Sequence, residues 1–218
     1  MIPVKLAVFD CDGTLVDGQA SICTAMERAF ASLGLLPPDH GQVRRIVGLN
    51  LLPAIRQLLP DHDEAMYAAV TAAYKSAFRG AREAGELSEP LFPGIAALLG
   101  RLRGAGWLLG VATGKSARGL DHCLAVHGLT DHFSTLQTAD HHPSKPHPAM
   151  LDAALAEVMA QPEHAVMIGD TSFDMAMARA GGVRALGVAW GYHEASELHE
   201  AGAEAVAQTP KDLEQWLI

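Results

Sequence analysis

The chain of 218 residues is poor in cysteine and in positive charge. Its three cysteines, Cys11, Cys23 and Cys123, are too few and too scattered for a disulfide framework or a paired-cysteine zinc site. Sixteen Lys and Arg stand against 25 Asp and Glu, a formal charge of −9. An acidic surface repels phosphate backbones and anionic lipid head groups, so neither nucleic acid nor a membrane is the expected partner. A small phosphorylated ligand stays open, because one local cluster of cations is enough to hold it. No stretch of ~18 apolar residues occurs. The opening segment MIPVKLAVFDCDGTLVD carries carboxylates where a signal peptide needs an uncharged apolar core. These absences lead to the expectation of a reduced, cytoplasmic protein. Internal repeats and low-complexity tracts are also missing. What is present, 49% hydrophobic and 19% charged residues, is the composition of an ordinary globular domain.

Residues 5–10 (KLAVFD) read as a short apolar strand ending in a carboxylate. From Gln19 the pattern turns helical, with Ile22, Met26, Ala29, Phe30 and Leu33 on one face and Gly34 suited to the position just past the helix end. Residues 39–86 continue as helical segments punctuated by Pro53 and Pro60, the longest near 63–84. Beyond Leu91-Phe92-Pro93-Gly94, strands near 107–112, 133–138, 165–168 and 183–189 alternate with helices. The tail reads as a short helix, a possible strand at 204–207 and a last helix capped by Thr209-Pro210. Alternation of this kind predicts an α/β fold, a Rossmann-like parallel sheet with helices on both faces. The strand-free block makes an all-helical insertion after the first strand. The expected organisation is a core of residues 1–16 and 91–218 with a helical cap of residues 17–90.

In an open parallel sheet, ligands bind beyond the carboxyl ends of the strands. Here those ends carry Asp10-Cys11-Asp12-Gly13-Thr14, Thr113-Gly114-Lys115 and Gly169-Asp170-Thr171, with Asp174 four residues further on and Ser144-Lys145-Pro146 in a loop. Four carboxylates in one place would repel one another and raise their pKa values. A divalent cation removes that problem. Asp10, Asp170 and the backbone carbonyl of Asp12 are hard oxygen ligands, which suit Mg²⁺ better than zinc. Lys145 neutralises further charge, and Thr113 with neighbouring backbone N–H groups can hold anionic oxygens. Together these parts predict a phosphoryl-transfer site.

Asp10-x-Asp12-Gly13-Thr14-Leu15, Thr113-Gly114, Lys145-Pro146 and Gly169-Asp170-x-x-x-Asp174, in that order, resemble the four motifs of the haloacid dehalogenase superfamily of hydrolases. The helical block resembles that superfamily's cap of the first type. Val47-Gly48-Leu49 and Leu91-Phe92-Pro93-Gly94 point to members like phosphoglycolate phosphatase. The resemblance implies that Asp10 is a nucleophile forming an aspartyl-phosphate, and that Asp12 protonates the leaving alcohol and then deprotonates water. It implies that Thr113, Gly114 and Lys145 hold the phosphoryl group, that Asp170 is a magnesium ligand, and that Asp174 orients that ligand shell. Asp12 argues against a dehalogenase, which lacks an acid–base aspartate there. It also argues against a phosphonatase, whose early cap lysine is missing; the only cap lysine is the late Lys75. A sugar phosphomutase, or a non-catalytic module that binds a phosphorylated ligand, stays open as the alternative.

Two further features invite a role. Arg44 and Arg45 precede Ile46-Val47-Gly48, the segment that folds over the active site in similar proteins, and an arginine there can clamp an anionic group on the leaving group. Arg79 and Arg82 read instead as a solvated helix face. Six histidines, His122, His127, His132, His141, His142 and His147, crowd one region without a zinc-like spacing. They leave a second metal site open.

Overall fold

The computed structural model describes residues 3–218. Its first strand, β1 (Lys5–Phe9), leads into four helices: α1 (Gln19–Ser32), α2 (His40–Ile46), α3 (Leu51–Leu58) and α4 (Glu64–Glu83). Then come α5 (Ile95–Gly104), β2 (Trp107–Thr113), α6 (Ala117–Val126), β3 (Thr135–Thr138), α7 (Ala149–Val158) and β4 (Ala165–Gly169). The chain closes with α8 (Ser172–Ala180), β5 (Arg184–Val188), α9 (Ala195–Ala201), β6 (Ala205–Ala207) and α10 (Pro210–Leu217). The six strands form one parallel sheet in the order β3-β2-β1-β4-β5-β6. The strand pattern predicted from sequence is therefore the observed one. No helix of the described residues is long and apolar enough to cross a membrane.

A parallel sheet must be covered on both faces, and its central strands, β1, β2 and β4, are accordingly apolar almost throughout rather than alternating. Alternate residues nevertheless serve different layers. Ala7, Phe9, Leu109, Val111, Val166 and Ile168 pack with Leu98, Leu102, Leu120 and Leu213 of α5, α6 and α10. Leu6, Val8, Met167 and Ala185 pack with Leu151, Ala154, Met175 and Leu198 of α7, α8 and α9. The strand order reverses direction at β1, whose two neighbours, β2 and β4, lie on opposite sides of it. A reversal of this kind opens a crevice at the strands' carboxyl ends.

Helices α1 to α4 have an apolar centre of their own, built on Met26, Phe30, Val43, Ile55, Tyr67 and Val70. Their ends are set locally. Asp39 and Asp63 accept the backbone N–H groups of Gln42 and Met66 as N-caps, and Gly34, at φ +69°, closes α1. Pro53 does not end a helix, as the sequence suggested; it sits in the first turn of α3, where an N–H has no intrahelical partner to lose. The two connections to the sheet run side by side. Val16 pairs with Leu91, the Asp17 N–H donates to Pro90 O (2.8 Å), and Phe92 N–H donates to Leu15 O (3.0 Å).

Packing of the central strand sets a stability prediction. Leu109 of β2 is fully buried, whereas Leu108, pointing to the other face at the strand's beginning, is 37% exposed. Leu109→Ala should cost about 2–5 kcal/mol in urea unfolding, and Leu108→Ala well under half of that. Equal costs would mean that the two faces of β2 are not buried as described.

Candidate active site

The β1 chain direction continues one residue past the strand: the Asp10 N–H donates to Ile168 O of β4 at 2.9 Å. A tight loop then turns back, with Leu15 and Val16 N–H groups both donating to Cys11 O. Gly13 stands at its tip with φ +87°, and a side chain there would run into the Asp170 carboxylate, so both conformation and space require glycine. That loop brings Asp10 against residues from the far half of the chain. Lys145 Nζ lies 3.0 Å from Asp10 Oδ1 and 2.6 Å from Asp174 Oδ1, with all three side chains essentially inaccessible. Asp174 Oδ2 accepts the Thr171 N–H (3.1 Å) and hydroxyl (2.7 Å), closing a capping box at the start of α8. Asp170 accepts the Thr14 hydroxyl (2.7 Å) and the Tyr192 N–H (3.0 Å). Asp10, Asp170 and Asp174 have carboxylate oxygens within 4.8 Å of one another, and they form the single such cluster of possible metal ligands among the described residues.

Burial dominates the electrostatics. It pushes the Asp10 carboxyl up to about 7, with Lys145 opposing and Asp174 adding to the rise. Burial, reinforced by Asp10 and Asp174, pushes Asp170 well above the carboxylate range. Burial alone would lower Lys145, but the two aspartates outweigh it and hold the ammonium charged. Three carboxylates thus face one ammonium, and Asp10 Oδ2 is buried without a hydrogen-bond partner. Hard carboxylate oxygens whose negative charge exceeds what Lys145 can balance are the donor chemistry a divalent cation fits.

The other sequence-selected residues lie on the same rim. Thr113, at the end of β2, is buried and its Oγ1 accepts the Lys115 N–H at 3.2 Å. Gly114 passes directly under the segment between α2 and α3. A Cβ there would lie 2.8 Å from Gly48 O and closer still to Leu49 O. Asp12 stays outside the carboxylate cluster and is held by Lys115 Nζ at 2.9 Å, which also meets Glu89 at 2.7 Å. Burial raises the Asp12 pKa, and Lys115 partly offsets that rise. Lys115 and Glu89 have no assigned role in the sequence reading. A lysine two residues past the strand-end threonine was visible there, but its partners, 103 and 26 residues away, were not.

A cavity of about 550 Å³ opens above Asp10, Asp12, Thr113, Gly114 and Lys115 and is roofed by residues of α1, α3 and α4. Arg44 and Arg45 do not line it. Arg45 is ion-paired to Glu197 of α9 at 2.6 Å and is 62% exposed, while Arg44 donates to Gly191 O at 3.4 Å. α2 leans on the loop after β5, so both side chains run back outside the cavity. The residues that do line it include Lys75, Arg79 and Arg82, two of which the sequence suggested to be solvated. The histidines form no metal-ligating group among the described residues. His142 instead bonds Gln137 at 2.7 Å, and Gln137 donates to Glu157.

Comparison with known proteins agrees with this geometry. Residues 7–188 match the haloacid dehalogenase-like hydrolase family. A Dickeya dadantii protein described as "Probable phosphatase IndB" is 36% identical over 208 residues, covering 94% of this chain and 89% of the relative. A phosphoglycolate phosphatase of Chromobacterium violaceum is 32% identical over 213 residues, covering 96% and 95%. A haloacid dehalogenase-like family hydrolase from Streptococcus pneumoniae superimposes over the full length of both chains with a TM-score of 0.86 at 26% identity. The chain belongs to the haloacid dehalogenase-like hydrolases.

Proposed function

We propose that the chain is a Mg²⁺-dependent phosphatase that hydrolyses a small phosphate monoester through an aspartyl-phosphate on Asp10. One observation carries the reading: Asp10, at the floor of the cavity, has a buried carboxylate oxygen with no hydrogen-bond partner, while its other oxygen is fixed by Lys145 and the Cys11 N–H. A carboxylate immobilised through one oxygen and bare at the other is a pre-oriented nucleophile. Relatives named as phosphatases support the same class, and the one named phosphoglycolate phosphatase makes phosphoglycolate the first substrate to test.

The chemistry follows from the groups present. The phosphoryl oxygens rest against the Thr113 hydroxyl, the Gly114 N–H and Lys145. The lone pair on Asp10 Oδ2 attacks phosphorus, and the bond from phosphorus to the leaving oxygen breaks with its electrons going to that oxygen. Asp12 gives its proton there, and burial favours the protonated form it needs. Water then attacks the aspartyl-phosphate, Asp12 takes a proton back, and the bond from phosphorus to Asp10 breaks to release inorganic phosphate. Asp174 keeps Lys145 in place through their 2.6 Å contact. Bound to Asp10, Asp170 and the Asp12 carbonyl, Mg²⁺ would neutralise charge that these carboxylates and the phosphoryl oxygens share.

Replacing the nucleophile tests the reading. Asp10→Asn should keep the far-ultraviolet circular dichroism of the native protein and lose about 10³-fold or more of its turnover of p-nitrophenyl phosphate and phosphoglycolate with Mg²⁺. A variant with a tenth of native activity would overturn the covalent route.

The cation is testable through stability. Asp10 and Asp170 are raised in the folded state, so each stabilises it at low pH and loses that contribution as pH rises through the folded value, about 7 for Asp10. In EDTA the melting temperature should therefore fall between pH 6 and pH 8 (roughly one unit either side of that value). Millimolar Mg²⁺ should restore it at pH 8, and Asp170→Ala should abolish the Mg²⁺ response. A melting temperature indifferent to Mg²⁺ at pH 8 would remove the cation from this cluster.

A further inference from the structure

The roof of the cavity has a composition that the phosphoryl chemistry does not use. Thr71, Tyr74, Lys75, Phe78, Arg79 and Arg82 all line it. Their spacing of i, i+3, i+4, i+7, i+8 and i+11 puts them on one face of α4, continuous with Tyr67 and Val70, and Tyr74 and Phe78 pack at the edge of the same apolar centre. From Thr71 to Arg82 that face runs about 16 Å at 1.5 Å per residue, much longer than a phosphoryl group with two carbons attached. A cavity of about 550 Å³ is likewise in the range that holds ligands of some tens of atoms.

The cations on this face, Lys75 and Arg79 exposed and Arg82 half-buried, are left free to meet an anion. Among the described residues, none of Lys75, Arg79 and Arg82 takes part in an ion pair. The carboxylates lining the cavity are Asp10 and Asp12 at its floor and Asp140 at its rim. Asp12 is taken by Lys115, and Asp140 accepts the Ala117 N–H at 2.8 Å. Lining residues also carry buried polar atoms that lack a partner: Arg82 Nε, Thr71 Oγ1 and Asn50 Oδ1. A buried donor or acceptor left without a partner costs about 1–3 kcal/mol, so three around one cavity point to a ligand that satisfies them. Between them the Tyr74 and Phe78 rings stack at 5.7 Å, and the Arg82 guanidinium and Lys115 ammonium each sit 5.8 Å from the Phe78 ring centre. The face offers cations, hydroxyl-matching groups and an apolar strip.

We propose that this face of α4 is a leaving-group subsite, and that it selects hydroxylated phosphate monoesters larger than phosphoglycolate that bear a second anionic group. The proposal rests on the phosphatase reading of the floor of the cavity. Lys75, Arg79 and Arg82 supply the charge for the second anion. Asn50 and Thr71 meet hydroxyl groups, and the Tyr74–Phe78 strip takes the C–H surface between them. Arg44 and Arg45, engaged outside the cavity, take no part.

Three compounds sharing a phosphate on the sixth carbon of a glucose skeleton form the test: glucose 6-phosphate, 6-phosphogluconate and glucose 1,6-bisphosphate. With Mg²⁺, kcat/KM for at least one of the two doubly anionic compounds should exceed that for glucose 6-phosphate by about 10-fold or more. A gain with 6-phosphogluconate alone identifies a carboxylate as the second anion, and a gain with the bisphosphate alone identifies a phosphate. The ratio should fall toward unity in Lys75→Gln/Arg79→Gln and in Arg82→Gln, and persist in Arg45→Gln. Equal kcat/KM for all three compounds, or a ratio that survives in both α4 variants, would overturn the subsite. Failure of the phosphatase reading shows separately, as no turnover of p-nitrophenyl phosphate by the native protein. In that event the same compounds are read by thermal shift. A larger shift from the doubly anionic ones that is lost in the α4 variants supports the subsite, and equal shifts overturn it.

Discussion

Burying three carboxylates around a single ammonium is the constraint on which the arrangement of this protein turns. Taking charges out of water is costly, and Lys145 can balance only part of the charge on Asp10, Asp170 and Asp174. Nothing about folding alone calls for such a cluster, since apolar side chains of similar size at the same strand ends would be at least as stable. The structure absorbs the cost with dense local donors: the Cys11 and Tyr192 N–H groups, the Thr14 and Thr171 hydroxyls and the Thr171 N–H all point at these oxygens. One oxygen, Asp10 Oδ2, is left out of that provision. The cluster is thus satisfied except at the one oxygen proposed to attack phosphorus.

The sheet explains why these groups converge. β1 and β4 are neighbours, so Asp10 and Asp170, each just past the end of its strand, meet across one strand spacing. β2 flanks β1 on the other side and delivers Thr113 and Gly114. The capping box that starts α8 turns Asp174 toward Lys145, so a device that begins a helix also orients a charged group. The four helices inserted after β1 enter and leave on paired linkers, Val16 against Leu91. The Glu89 carboxylate, on the outgoing linker, reaches Lys115 and through it Asp12. The residue proposed to move protons is thereby tied to the segment on which the helical layer is mounted.

What the sequence disclosed and what it withheld divide along physical lines. The strands, the helical insertion and the residues at strand ends were legible because each depends on local pattern: an apolar run, a breaker, and a carboxylate or hydroxyl at a fixed offset. Asp10, Asp170 and Thr113 are all of this kind, whereas Lys145 lies in the loop between β3 and α7 and stood out through the resemblance to the family's motifs. The arginines were misjudged because an arginine's role depends on which way its helix faces and on what it meets. Arg45 looked free in sequence and is paired with Glu197, 152 residues away. Arg79 is exposed, as its sequence context suggested, and Arg82 half-buried; what the sequence did not show is that both border the cavity, on the same side of α4 as Tyr74 and Phe78. Lys115 stood in plain view beside Thr113, but a lysine's meaning lay in Asp12 and Glu89, which no spacing rule brings together. Pro53 shows the same limit at short range: a proline ends a helix or begins one according to the turn it occupies.

The two ends of the cavity are also built differently. At the floor the contacts are made by backbone and by short side chains: the Gly114 amide, the tip of the Gly13 loop, aspartates and threonines. Gly114 lies so close under Gly48 and Leu49 that any side chain would push the segment between α2 and α3 away from it. Seating that segment and leaving the proposed phosphoryl site open are therefore one packing problem, with glycine as its solution at that position. The roof relies on lysine and arginine, whose charged heads ride on long stems with several rotatable bonds. Groups of the first kind hold a geometry within fractions of an ångström, as an in-line displacement requires. Groups of the second kind follow the ligand. In the proposed reading, a rigid floor under an adaptable roof keeps the phosphoryl chemistry constant while the choice of leaving group rests on a few side chains of α4.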